Sequence, residues 1–317
     1  MLFAYRTEGQ NLSRNSPEAP LSDALWIDVF QPSQNEVDAL KELGIPVPSR
    51  EDMEEIEVSN RLYREGDTEV LTVVLPGQDA QERQTVGPVA FILSETRLVT
   101  VRHHAPRPFQ TFPTHAGQSS TGCRSVRHVF LGLIEEIVAR LADHLEGVGH
   151  TLDKESHGLF LEPAPRSVAL AGVLRAMGRQ GEQIARLRQG LVTVERALST
   201  FSVNLEGHGT IDLKQVSKAQ LRDVQSLSVH SDFLSGRLAQ LTDVAMGMIN
   251  LEQSSASRIL SVVATMFLPP TLVASVYGMN FSNLPGLDHP QGYLIASVLM
   301  IASAVGSLLL FKWMKWL

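Results

Sequence analysis

Ser254, Ser257, Ser261, Thr265, Leu268, Thr271 and Ser275 recur at intervals of three and four in a stretch whose only charged residue is Arg258. On a helix that spacing puts them on one face. A line of hydroxyl oxygens can edge a hydrated path for a cation. Small hydroxylated residues equally allow two membrane helices to pack closely, and spacing alone leaves both readings open. His150, Asp153 and His157 also share a helical face, with Asp143 and His144 about two turns earlier. Imidazole and carboxylate suit a transition metal, yet a solvated helix face carries the same residues. The acidic run EDMEEIE at 51–57 reads as a solvated face feeding a helix amino end, or as a cation sensor. His103 and His104 end a β-run and are expected to be solvent-exposed. No phosphate loop, dinucleotide fingerprint, HExxH, CxxC or GxSxG occurs, and no nucleophile–base pair stands out. An enzyme is not expected.

The elements that must position these residues follow from how apolarity is distributed. The 317 residues are 44% hydrophobic and 19% charged, with a net charge of -7. From residue 259 onward only Asp288, Lys312 and Lys315 carry charge. The acidic balance argues against a nucleic-acid partner. A lone cysteine, Cys123, excludes a disulfide framework. Residues 259–278 (ILSVVATMFLPPTLVASVYG) and 292–311 (GYLIASVLMIASAVGSLLLF) lack charge throughout. At about 1.5 Å per residue, each covers the ~30 Å of bilayer hydrocarbon. Arg258, Lys312 and Lys315 flank the two spans, and the turn between them has no lysine or arginine. Both chain ends are therefore expected in the cytoplasm. Pro269 and Pro270 predict a bend or loosened turn in the first span. Gly292, Ala296, Ser303 and Ser307 read as a packing face on the second.

No proline interrupts 211–258, and apolar residues recur there helically, so the first span continues backward as a stalk on the order of 100 Å long. Such a helix needs partners along its length. Residues 126–156 and 167–201 are also helical in period. Before them, ALWIDVF (24–30), EVLTVVLP (69–76), VGPVAFILS (86–94) and RLVTVRH (97–103) are β-branched runs bounded by turn residues, with helices at 33–43 and 49–57. The expected architecture is multi-domain and predominantly α. It comprises a cytosolic α/β domain over 1–125, cytosolic helices and stalk over 126–258, and a transmembrane hairpin over 259–317.

The residues YGMNF at 277–281, with FLPPTLVAS before them, closely resemble the CorA family of divalent-cation channels, in its proteobacterial magnesium-transporting branch. MGMINLEQ (246–253), RDVQSL (222–227) and SREDMEEIEVSNRLY (49–63) extend the resemblance over most of the chain. It implies a funnel-shaped homopentamer whose first membrane helices line the pore. Gly278, Met279 and Asn280 would form the outer selectivity ring, above pore positions Thr271, Leu268, Ser261 or Leu260, Ser257 and Ser254. Asp223 matches a stalk aspartate of a regulatory cation site between subunits. The implied cargo is Mg2+, with Co2+ and Ni2+ as further ions, and no cofactor is implied. The sequence departs from the family in its acid-poor outer turn, where Ser282 and Gly286 replace acidic residues and only Asp288 remains, beside His289. Ser254 stands where relatives have asparagine. The close alternative is a zinc transporter of the ZntB type on the same scaffold, favoured by the acid-poor turn and His289 and opposed by Met279-Asn280-Phe281 with FLPPTLVAS. A membrane-tethered regulatory protein is the remaining alternative.

Overall fold

A computed structural model describes residues 1–16, 18–55, 57–160, 167–205, 211–279 and 290–314. The chain divides into two compact units, Met1–Gly158 with Arg175–Leu241, and Leu159–Leu174 with Thr242–Leu317.

The first unit is built on one seven-stranded sheet. In chain order, β1 (Leu2–Glu8), β2 (Asn11–Arg14) and β3 (Trp26–Phe30) precede three short helices, α1 (Gln34–Glu42), α2 (Arg50–Glu54) and α3 (Val58–Arg61). Next come β4 (Leu62–Glu65), β5 (Thr68–Gln78), β6 (Gln84–Leu93) and β7 (Leu98–Arg102), then α4 (Pro108–His115). The strand order is β2-β1-β3-β7-β6-β5-β4. Only β3 and β7 run parallel; Asp28 lies opposite Thr100 in that pair. The four strands expected from β-branched runs are β3, β5, β6 and β7. Ser33 and Ser49 start α1 and α2 with capping boxes closed by Glu36 and Asp52.

Strand alternation gives the sheet two apolar faces. Ile27, Val29, Val70, Ala90, Ile92, Val99 and Val101 pack with Leu40, Ile45 and Met53 from the α1–α2 side. The opposite face is aromatic. Trp26 meets Phe112 of α4 edge-on at 5.8 Å between ring centroids. Phe91 meets Phe130, which in turn contacts Phe201 at 4.7 Å. These last two rings belong to α5 (Val126–Leu159) and α6 (Ser167–Asn204). Beyond Leu71, β5 extends past β4 and its outer edge is unpaired. There the Val74 N–H donates to Thr193 Oγ1 of α6 at 2.9 Å. A Cβ on Gly190 would lie 3.2 Å from the Val74 carbonyl, so a glycine is what lets the helix come this close.

Within the aromatic face sits an ion pair. Asp28 and Arg102 are 1% and 4% exposed. Arg102 Nη2 donates to Asp28 Oδ2 at 2.8 Å, and Thr100 Oγ1 donates to Asp28 Oδ1 at 2.9 Å. Trp26 Nε1 donates to Thr100 Oγ1 at 3.0 Å, extending the chain of bonds.

His104 departs from its expected exposure: it is buried, and its Nε2 donates to the Leu75 carbonyl at 2.9 Å. The reason is that Gly77 and Gly87 let β5 and β6 close over the ring. A Cβ at Gly77 would approach His104 Cδ2 to 2.7 Å. Burial drives its pKa down to about 4, helped by the nearby charge of Arg102 and by His103. Unfolded, the same ring takes its proton near the ordinary value of 6.5. Between those values the unfolded chain binds the extra proton, so stability is intact above 6.5 and lost as pH falls toward 4. His104 alone should remove about 3 kcal/mol across that window. In urea unfolding at pH 7, 5.5 and 4.5, His104→Gln should flatten the acid-side decline relative to the parent; parallel declines would contradict this.

The remaining cytosolic helix is the first part of α7 (Ile211–Tyr277). Leu213, Ser217, Gln220, Val224, Ser231, Leu234 and Leu241 form its buried seam. Gln220 Nε2 donates to the Leu131 carbonyl at 3.0 Å, and Arg188 pairs with Asp232 at 3.0 Å. Arg237 pairs with Asp153 at 2.5 Å. Polar residues thus share the seam with Val224, Leu234 and Leu241 of the helical apolar pattern, whereas Val216 and Leu221 of the same pattern are only partly covered.

The second unit holds the rest of α7 and α8 (Gly292–Trp313). α7 is helical across Pro269 and Pro270, the place where a bend or loosened turn was expected. The two prolines withhold the amide bonds that the Thr265 and Met266 carbonyls would otherwise accept.

Candidate functional site

Two helices are long and apolar enough to cross a bilayer, and only 6% and 11% of their apolar windows are buried. A core helix of a soluble protein would be mostly covered. Along α7, exposure is uneven and periodic. Val262 is buried, and Met266, Pro269, Pro270, Val273 and Tyr277 are partly covered. On α8, Ala296 and Phe311 are buried and Gly292, Met300, Ser303 and Ser307 partly covered, so the small residues do lie on its covered face. Stripes of this kind are what a helical hairpin leaves.

Ser254, Ser257, Leu260, Ser261, Leu268 and Thr271 are all exposed. At 100° per residue they occupy about 120° of arc, centred about 170° from the covered stripe of α7. The sequence-derived pore positions therefore share one open face with no ionisable side chain among them. Leu260 and Ser261 both fall within it. Thr271 Oγ1 donates to the Phe267 and Leu268 carbonyls at 2.5 and 3.0 Å. With its proton engaged, the hydroxyl presents lone pairs outward, the polarity that a cation or its water requires. Ser303 and Ser307 on α8 likewise donate to Met300 and Ser303 carbonyls at 2.8 and 3.0 Å.

The helix ends in a turn, with Gly278 N–H donating to the Ala274 carbonyl at 2.9 Å and Met279 N–H to that of Val276 at 3.3 Å. A Cβ on Gly278 would come within 3.1 Å of the Ala274 oxygen. Both residues are exposed. Asn280 lies outside the described residues, as do Ser282, Gly286, Asp288 and His289.

Asp223 is exposed on α7 and has no hydrogen-bond or ion-pair partner among the described residues. Among those residues no group of three or more His, Cys, Asp or Glu side chains is placed to hold a metal. The His150–Asp153–His157 face is not such a site, because Asp153 faces Arg237. Apolar Val229 and Phe233 are 70% and 62% exposed on the cytosolic part of α7, a feature that the seam's periodicity did not single out.

A mixed α/β unit joined to two exposed, apolar, membrane-length helices is the architecture of a protein held in a bilayer by a two-span hairpin. The sequence profile described as CorA-like Mg2+ transporter protein matches residues 22–313. The chain belongs to that family. It is 33% identical over 309 residues to the magnesium transport protein CorA of Haemophilus ducreyi, covering 97% of this chain and 96% of the relative. It is 32% identical over 320 residues to the magnesium transport protein CorA of Escherichia coli K12, covering 100% of both. The complete CorA magnesium transporter structure from Methanocaldococcus jannaschii shares the fold, with TM-score 0.79 at 18% identity, over 100% of this chain and 99% of that one. CorA-type divalent-cation transport is thus the activity. The protein is a multi-pass inner-membrane protein with cytoplasmic termini.

Proposed function

We propose that five copies surround a water-filled axis lined by α7 and pass hydrated Mg2+, with Co2+ and Ni2+ as further permeant ions, down the electrochemical gradient. Residues 1–125 and 126–258 form the cytosolic part of each copy, and 259–317 its membrane hairpin. The carrying observation is the open, uncharged face of α7 opposite its covered stripe. Two spans cannot enclose a wet path, and in hydrocarbon an exposed row of hydroxyls and proline-freed carbonyls calls for protein or water beside it. Further copies of the same face supply both. Exposed Val229 and Phe233 give the stalk apolar surface to bury on assembly.

Gly278, Met279 and Asn280 form the outer ring in this reading. Magnesium sheds its waters reluctantly and favours octahedral oxygen ligation. Carboxamide oxygens of Asn280 accept hydrogen bonds from those waters without stripping them, which selects by size yet permits release. Asp223, exposed and without a partner among the described residues, takes part in a cytosolic cation site between copies that favours the closed state.

Purified protein in liposomes tests this through Mg2+ and Zn2+ influx. Asn280→Ala should lower Mg2+ influx by about tenfold or more. Raising internal Mg2+ from micromolar to millimolar should slow influx in the parent and less so in Asp223→Ala. Faster Zn2+ than Mg2+ influx would assign the protein to zinc. If neither ion moves and Asn280→Ala is silent, the hairpin is only an anchor.

A further inference from the structure

Outside the membrane unit, two adjoining recesses of about 390 and 460 Å³ open beside the β5–β6 hairpin. Both share Pro76, Gln84 and His144. The first is lined by Gln78, Gln84, Gln110, Arg107, Arg140 and His144, with no carboxylate among its lining residues. In a chain of net charge -7, that is a local reversal of sign. Sequence reading could not find it, because its arginines come from the residue before α4 and from α5.

Arg140 is the central group. Its Nε is buried without a hydrogen-bond partner, and its nearest carboxylate, Asp143, is 3.5 Å from Nη1. Neither Arg107 nor Arg179 has an ion-pair partner among the described residues. His144 has its pKa lowered chiefly by burial and further by the charge of Arg140, against an opposing pull from Asp143. A planar guanidinium with unused donors, flanked by amide side chains, suits phosphate oxygens, which accept several charge-assisted hydrogen bonds at once. The second recess differs in character. Pro76, Val86 and Leu187 give it aliphatic walls, while Thr85 and Gln183 offer hydrogen-bonding groups. Arg179 stands at this end, and the charge of Arg186 is already matched by Glu182.

We infer that this double recess binds a nucleoside di- or triphosphate, with the phosphate chain on Arg107 and Arg140 and the base in the aliphatic recess. Two joined cavities of this size, one basic and one largely apolar, match the two halves of such a ligand. The inference does not rest on ion selectivity or on the pore, and binding is read without transport.

The test is calorimetric titration of the full-length protein in detergent, with EDTA present so that the anion and not delivered Mg2+ is measured. ATP, ADP, adenosine and inorganic tripolyphosphate are the probes. Saturable ATP and ADP binding is expected, weakened at least about tenfold by Arg140→Gln and by Arg107→Gln, and unchanged by the exposed control Arg6→Gln. Arg107→Gln alters an exposed side chain, so its effect is separable from misfolding, and unchanged melting of each variant checks this. Absence of saturable ATP binding, or binding indifferent to both substitutions, overturns the assignment. Tripolyphosphate binding as tight as ATP overturns the nucleoside part, and tight adenosine binding without phosphate preference overturns the phosphate part.

Discussion

Removing the membrane potential is expected to reduce Mg2+ accumulation in proteoliposomes from roughly a thousandfold to unity. The argument is electrostatic. A divalent ion crossing 100 mV gains about 4.6 kcal/mol, twice the ~2.3 kcal/mol per unit charge. The membrane parts of α7 and α8, between Arg258 and Lys312, contain no Asp, Glu, Lys, Arg or His among the described residues. The described spans thus offer no carboxylate, amine or imidazole to carry a proton, and in the proposed pore the ion's own electrochemical gradient is the driving force. With a K+ diffusion potential set by valinomycin, the equilibrium ratio should rise about tenfold for each ~30 mV, inside negative. A ratio that follows an imposed pH difference and ignores the potential would replace the passive pore with a coupled carrier.

The open face of α7 was legible because helical period and hydroxyl type coincide between Ser254 and Thr271, where Arg258 is the only charged residue. β3, β5, β6 and β7 were legible as β-branched runs. What escaped reading has specific causes. β1 and β4 mix apolar residues with Arg6, Glu8, Arg64 and Glu65, the pattern of strands near a sheet edge. α4 begins at Pro108 and contains Pro113, so its prolines disguised a helix whose Phe109 and Phe112 fill the aromatic core. Ser217, Gln220 and Ser231 are buried in the α7 seam, where the hydropathy pattern placed only apolar residues. The basic double recess depends on residues 107, 140 and 179, brought together only by packing. Asn280, by contrast, was singled out by its motif alone.

Asp28 illustrates the same limit with the largest consequence for stability. Within ALWIDVF it looks like a solvent-facing break in a strand, and its partner lies on β7 at Arg102. Once both are buried, removing either leaves an uncompensated charge. Arg102→Leu should therefore destabilise the cytosolic unit by about 3–5 kcal/mol, and Asp28→Leu by a similar amount. Arg102 loses more than an ion pair, because its guanidinium lies 4.6 Å from the Phe30 ring centroid and 5.2 Å from that of Phe109. The double variant Asp28→Leu/Arg102→Leu should recover much of the loss, since no buried charge remains and leucine fills part of the space. Trp26 reports locally on unfolding: its indole N–H is bonded to Thr100, the same hydroxyl that donates to Asp28. Urea unfolding of the full chain followed by fluorescence gives the three values, with Trp313→Phe/Trp316→Phe as background to isolate that signal. A cost below about 1 kcal/mol for Arg102→Leu, or a double variant as unstable as the sum of its parts, would mean that the pair is solvated and the sheet held by its apolar faces alone.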